Sequence, residues 1–514
     1  MLVQTATLES GSLNPEEQHQ TYCALDSMLT LEILAAIQRE HPAGAEPVYS
    51  FERALQAPLM EMTLRGFLID GLDRQRMETL VKKKVGEARM VLDELTQPVW
   101  GRGINPRSHS QLSDFFYKTM KIPEIWLSFK GERRLSVNRE ALEKIDEYMY
   151  ARPIVSLILM CRDLYKQLDV LTEEVDKDGR HRTSYNIGGT ETGRLSSSTS
   201  VLGTGGNAQN IAPELRRVFV SDPGYKLCSI DLEQVEARDV GYICGVLFGD
   251  WSLLDSCESG DFHTNNCKLI WPEIKWPKDI TESRILADTT PVYREWTMRD
   301  LAKRGGHLTN YSGTAWTMSR VLKIPLKTAV EFQARYCRGS ASRDIRPAYP
   351  CLRQYWSWTA DRLQSVGHIT TPFGRQRHFF GDQRSDATLR EAIAFTPQSM
   401  TADRTDLWLW KVWAELGKRD IQLLAQTHDS ITFQFREDNP DIERSVIEYA
   451  LGLLNEISLT DPKSGRIYIA PGAAKVGWNW APFSKSNPGG LYKWKKGVLD
   501  ERSRPSGLDR LLLA

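Results

Sequence analysis

No run of eighteen apolar residues occurs anywhere in the chain, so the sequence predicts no membrane-spanning helix. The first residues, MLVQTATLESGSLNPEEQ, lack the basic start and apolar centre of a secretory signal. The eight cysteines lack the regular spacing of a disulfide framework, which predicts reduced thiols and a cytoplasmic setting. A zinc reading of Cys257, His263 and Cys267 fails on spacing, since Cys-x5-His-x3-Cys matches no standard pattern. Net charge is missing too: 66 Lys and Arg balance 66 Asp and Glu. That balance neither demands nor excludes a polyanionic partner, because a binding groove needs only a local basic face.

What remains is an ordinary globular composition, 41% hydrophobic and 26% charged, long enough at 514 residues for several subdomains. The basic runs Lys82-Lys83-Lys84, Arg216-Arg217, Lys303-Arg304 and Lys493-Trp494-Lys495-Lys496 read first as solvated faces.

The informative stretch is YKLCSIDLEQVEARDVG, residues 225 to 241. It opens with the two-residue alternation of a strand and turns into a charged helix start, with Asp231 at the junction. Far downstream, IQLLAQTHDSITFQF reads as a β-hairpin broken at His428-Asp429-Ser430, with an acid at its tip. If both strand ends meet in one sheet, two carboxylates face each other. At about 4 Å and an effective dielectric of about 20, two such charges repel by about 4 kcal/mol. Cations between them relieve this, and oxygen-only ligands select Mg²⁺ or Mn²⁺. Two such ions suit phosphoryl transfer.

Elsewhere the pattern predicts an amphipathic helix over 19–40, two helices over 50–100 broken near Gly66 to Gly71, and further helix from 105 to 120 and 139 to 175. Residues 176 to 206 are glycine- and serine-rich around Arg194, an irregular, backbone-exposing region. Arg299, Lys303, His307 and Tyr311 recur every four residues and drift only about 40° per step around a helix. Such a face can grip a triphosphate at one end and stack on a base at the other. Gly305-Gly306 weakens that helix, as a moving element or a local kink would. Arg390 and Gln398 share a further helical face that Pro397 is expected to break or bend. The tail from Lys485 reads as a surface appendage.

Taken in order, these pieces resemble family A DNA polymerases, nearest to phage-type members. The resemblance rests on Thr192 to Ser198, Asn207 to Ile211 with Arg216, Asp231 to Arg238, Arg299-x3-Lys303-x3-His307-x3-Tyr311, and His428-Asp429-Ser430. It implies an α+β right-hand fold with an antiparallel palm sheet and helical fingers and thumb. The implied division is 1–48, remnant of a 3′–5′ exonuclease domain; 49–190, thumb and start of the palm; 191–250, palm with the first catalytic motif; 251–385, fingers; 386–484, palm with the last motif; and 485–514, tail.

The resemblance also implies roles. Asp231 and Asp429, with the Leu232 carbonyl, would hold two Mg²⁺ ions, Mn²⁺ substituting. Glu236 would exclude a 2′-hydroxyl. Arg299, Lys303 and His263 would meet the triphosphate of a dNTP, Lys303 also protonating the leaving group. His307 takes the place of the usual aromatic, and Tyr311 would close the base pocket. Arg194, Asn207, Gln209, Arg216, Arg390, Gln398 and His428 would contact primer–template DNA.

The chain departs from the family pattern in four places. His307 stands for Phe or Tyr, and Ser430 for Glu. Ser312 replaces a glycine, which predicts a turn shifted to Gly313. Tyr22-x3-Asp26 resembles the last exonuclease motif, without the earlier acidic ones. The expectation is therefore no proofreading from this chain alone, as a fragment or as one part of a split enzyme with a separately encoded exonuclease. A single-subunit RNA polymerase is the first rival, opposed by Glu236. A non-catalytic DNA-binding subunit is the second, favoured by His307 and Ser430.

Overall fold

A computed structural model describes residues 14–40, 44–129, 132–294, 296–417, 420–438, 440–496 and 502. Its centre is the strand Tyr225–Leu232, whose Leu227, Cys228, Ile230 and Leu232 are all buried. On one side it pairs antiparallel with Ser430–Arg436, which pairs in turn with Ile421–Thr427. On the other side it pairs with Gly472–Gly477, and Tyr492–Lys493 completes a five-stranded antiparallel sheet. The helices Val235–Phe248, Asp386–Glu415 and Pro440–Asn455 share one apolar core with this sheet. Trp408 is anchored within it by donating its indole N–H to the Ala450 carbonyl at 2.8 Å.

A second, mainly helical core lies in the N-terminal half. The helices Gly71–Trp100 and Arg152–Thr172 close it around Leu92, Phe115, Phe116, Leu142 and Ile158. The α+β expectation and the antiparallel sheet both hold, and all eight cysteines are unpaired.

Local expectations fare unevenly. The predicted break at 66–71 is real: helix Glu46–Arg65 ends at Gly66 (φ +63°), and the strand Phe67–Ile69 intervenes. Helix Asp386–Glu415, by contrast, runs through Pro397 unbroken. Proline removes one backbone hydrogen bond, but the packing of Phe395, Thr396, Ser399 and Met400, all buried, holds the helix on both sides. The tail is no appendage over its described residues: Tyr492–Lys493 joins the sheet, and Trp494, 9% exposed, packs into the main core. Helix Pro15–Glu40 forms as expected but buries none of its residues, and Tyr22 and Asp26 are both exposed.

Candidate active site

The hairpin fixes one half of the site. Thr427 pairs with Ser430, so its loop is only His428-Asp429. A loop this tight needs positive φ, and His428 supplies +53°. The pairing of this second hairpin strand with Tyr225–Leu232 sets Ser430 opposite Asp231. Just beyond, the Leu232 N–H donates to the Asp429 carbonyl at 2.9 Å, and the Glu233 N–H to the Pro471 carbonyl at 2.8 Å. Asp231 and Asp429, far apart in sequence, thus sit on neighbouring strand ends. The chain then turns through Gln234 (φ +52°) into helix Val235–Phe248, with Glu236 in its first turn.

The other wall is helix Met298–Asn310. Between the two lies a cleft of about 1080 Å³, lined among others by Asp231, Glu236, His263, Lys303, His307 and Asp429. Gly305 and Gly306 on this helix are buried. A Cβ on Gly305 would lie 3.0 Å from the Phe332 ring, and one on Gly306 3.0 Å from the Tyr336 hydroxyl. They permit close packing in a helix that is continuous from Met298 to Asn310, without a break at the glycines. The turn after Tyr311 is not shifted either: Ser312 itself adopts φ +60°, while Gly313 is closely packed against Leu308.

Glu236 gathers the centre of the site. Its carboxylate accepts from the Arg194 guanidinium and from the Tyr311 hydroxyl, with His307 Nδ1 3.7 Å away. Burial and Glu236 push the Tyr311 phenol well up, so it stays protonated and donates. The His307 and Tyr311 rings meet edge to face at 5.1 Å. Burial, then Asp231, pushes Asp429 up to about 6. Burial lowers His428, with Arg194 adding to the effect.

At the far end, Lys303 is exposed on the cleft wall. Arg299 is turned onto Asp261, the cap of helix Phe262–Ile270, at 2.7 Å, and its Nε makes no hydrogen bond. Burial works against the Asp261 charge, but Thr264 and Arg299 outweigh it and hold its carboxyl below the usual range. Burial, followed by Arg299 and Lys303, pushes His263 down to about 4, and its buried Nδ1 has no hydrogen-bond partner.

The expected DNA-contact residues divide. Arg194 and His428 belong to the site. Asn207 accepts from Ser197 and from the Gln209 N–H. Gln209, 7% exposed, donates to the Gln426 side chain at 3.1 Å, and Gln426 donates to the His428 carbonyl at 3.2 Å. Gln209 thus has an internal partner behind the hairpin loop. Arg216 lies over the Trp480 ring at 4.5 Å, and burial lowers its pKa. Gln398 is half-buried, whereas Arg390 is exposed and folded back on Asp386 at 3.0 Å. Two cleft residues escape sequence reading. Arg284 lies 3.6 Å from Asp288, and Lys475 pairs with Asp231.

Among the described residues, no group of three or more His, Cys, Asp and Glu side chains could hold a metal. Cys257 and Cys267 lie in the apolar core, their thiols pushed up to about 12 by burial. Asp231 and Asp429 offer oxygen donors only. Burial first, and then the neighbouring Asp231 charge, penalises the Asp429 carboxylate, and a hard divalent cation held by these oxygens offsets both, so the pair fits one.

Residues 74–463 match the family model described as DNA polymerase family A. The thermostable DNA polymerase I of Thermus thermophilus is 28% identical over 407 residues, covering 76% of this chain and 44% of that protein. DNA polymerase I of Chloroflexus aurantiacus is 27% identical over 498 residues, covering 89% of this chain and 46% of that one. The chain therefore spans less than half the length of these curated relatives. A structure of the POL domain of Pol1 from M. smegmatis, in complex with DNA primer-template and dNTP, superposes with a TM-score of 0.64 at 21% identity. The match covers 83% of this chain and 69% of that one, and it shows a shared right-hand polymerase fold. The chain belongs to DNA polymerase family A.

Proposed function

We propose that this chain is a template-directed DNA polymerase, which extends a primer 3′-hydroxyl with dNTPs by phosphoryl transfer. One observation carries the reading: Asp231 and Asp429 meet at adjacent strand ends, on the floor of a cleft whose opposite wall presents Lys303 and His307. The five-stranded sheet and its helices would be the palm, with residues 251–385 as fingers and the helical core within 49–190 as thumb. The resemblance of its motifs to phage-type members supports a role in phage or plasmid replication.

Asp231, Asp429 and the Leu232 carbonyl would hold two Mg²⁺, Mn²⁺ substituting. Ions held there would supply Lewis-acid activation of the attacking hydroxyl and would neutralise charge on the leaving pyrophosphate. The chain's own side chains do the rest. Lys303, exposed on the cleft wall, binds the triphosphate and gives a proton to the departing oxygen. Arg299 joins it by turning from Asp261. His263, neutral at working pH, hydrogen-bonds phosphate without adding charge. Glu236, clamped by Arg194 and Tyr311, underlies the incoming sugar and excludes a 2′-hydroxyl. His307 and Tyr311 frame the base, and His428 meets the primer end. Arg194, Arg216, Arg390, Gln398 and the exposed Asn207 face primer–template, and Gln209 joins that contact region while bracing the hairpin loop. Tyr22 and Asp26 resemble one exonuclease motif and contribute one exposed carboxylate to it, too few for a two-metal nuclease site, so 3′–5′ proofreading would come either from a longer protein of which this chain is a fragment or from a separately encoded subunit.

Extension of a primer on a defined template, with each dNTP and then each rNTP, tests this reading. Template-dependent dNTP addition that requires Mg²⁺ or Mn²⁺ supports it. Preferred rNTP addition favours the RNA polymerase rival, and no addition with either metal leaves a non-catalytic binding subunit.

A further inference from the structure

Asp231 carries a cation of its own. Strand Gly472–Gly477 sets Ala473 directly opposite Asp231 and Lys475 opposite Ser229, so Lys475 is the diagonal neighbour of Asp231 on the same face of the sheet. The short Ala473 side chain leaves the diagonal open, and the Lys475 ammonium crosses it to pair with the outer Asp231 carboxylate oxygen. Both groups line the cleft floor beside Asp429. The Lys475 side chain is 44% exposed, so its four-carbon stem is free to swing out into the cleft. Asp429, the other acid of the pair, makes no ion pair among the described residues.

We infer that Lys475 is a built-in competitor for the divalent cation: its ammonium neutralises Asp231 until a metal displaces it, and so sets the metal concentration at which the site loads. It acts through Asp231, as a positioning residue that touches neither nucleotide nor primer. The inference rests on Asp231 being a metal ligand. It adds that this chain tunes its own metal threshold through a residue on a different strand.

The test is direct Mn²⁺ binding to the full chain without DNA, read from the loss of the free-ion electron paramagnetic resonance signal. The proteins are wild type, K475M, K475Q, K475R, D231N, D429N and D231N/K475M, each checked by its thermal midpoint. An ion pair this exposed accounts for a change of about two- to fivefold in affinity. K475M and K475Q are expected to bind Mn²⁺ tighter by that factor and K475R to match wild type, with no effect of K475M in the D231N background. Unchanged or weaker binding by folded K475M and K475Q, with D231N still losing the ion, overturns the inference alone. Mn²⁺ binding that survives both D231N and D429N overturns the metal-site reading itself, and the inference with it.

Discussion

His263 stands among charges while remaining uncharged. Its folded pKa near 4 lies below the unfolded value near 6.5, so the native state binds fewer protons across that window. Native stability should therefore rise with pH through this range and fall as pH drops from 6.5 towards 4. Relative to H263Q, wild type should lose on the order of 2–3 kcal/mol between those limits. Urea unfolding at half-unit pH steps checks this, and parallel curves for the two proteins would contradict it. At Glu236 the expectation is kinetic. E236A removes the acceptor shared by Arg194 and Tyr311, and discrimination against rNTPs should fall by about tenfold or more. The ratio of kcat/KM for dNTP and rNTP measures it. Residues such as Asp231 and Asp429 were legible because an acid at a strand end breaks an otherwise apolar pattern. Lys475 was not, because its partner lies 244 residues away and the local sequence GAAKVG carries no sign of the contact. The buried contact of Gln209 with Gln426 was hidden for the same reason, the two residues lying 217 apart in sequence.

At the scale of the element, the four-residue spacing correctly placed Arg299, Lys303 and His307 on one helix, with Tyr311 as its cap. Spacing could not reveal what lies behind the helix. Gly305 and Gly306 face Phe332 and Tyr336, which come from the next helical segments. Alanine at both positions gains about 1 kcal/mol each in helix propensity. The tight contacts cost about 1–3 kcal/mol each. The G305A/G306A variant should therefore be less stable by about 2 kcal/mol, the middle of a range of about 0–4 kcal/mol. A stabilised variant that extends primers slowly would instead restore the view that these glycines serve motion. Pro397 and Ser312 carry the same lesson. Local chemistry predicts a break or a shifted turn, and surrounding packing holds a continuous helix and a left-handed serine in their place.

For the whole molecule, the ordered motifs carried the fold class and the sheet, since those around Asp231, Arg299 to Tyr311 and Asp429 fall on predictable strands and a helix. The last strand was hidden, because Tyr492–Lys493 is too short to show periodicity and sits in a basic, glycine-bounded stretch. Its consequence is measurable. Trp494 packs into the main core, so W494A should cost about 3 kcal/mol of stability, read from denaturant unfolding. A loss below about 0.5 kcal/mol would return this segment to the status of surface decoration.

Primer extension by D231A and D429A, assayed beside duplex binding by the same proteins, puts the greatest weight on the fewest residues. Each substitution removes an oxygen donor from the cleft floor without touching its basic wall. Extension should disappear in both while affinity for primer–template stays within about threefold of wild type. Extension that persists in both folded variants would contradict the account.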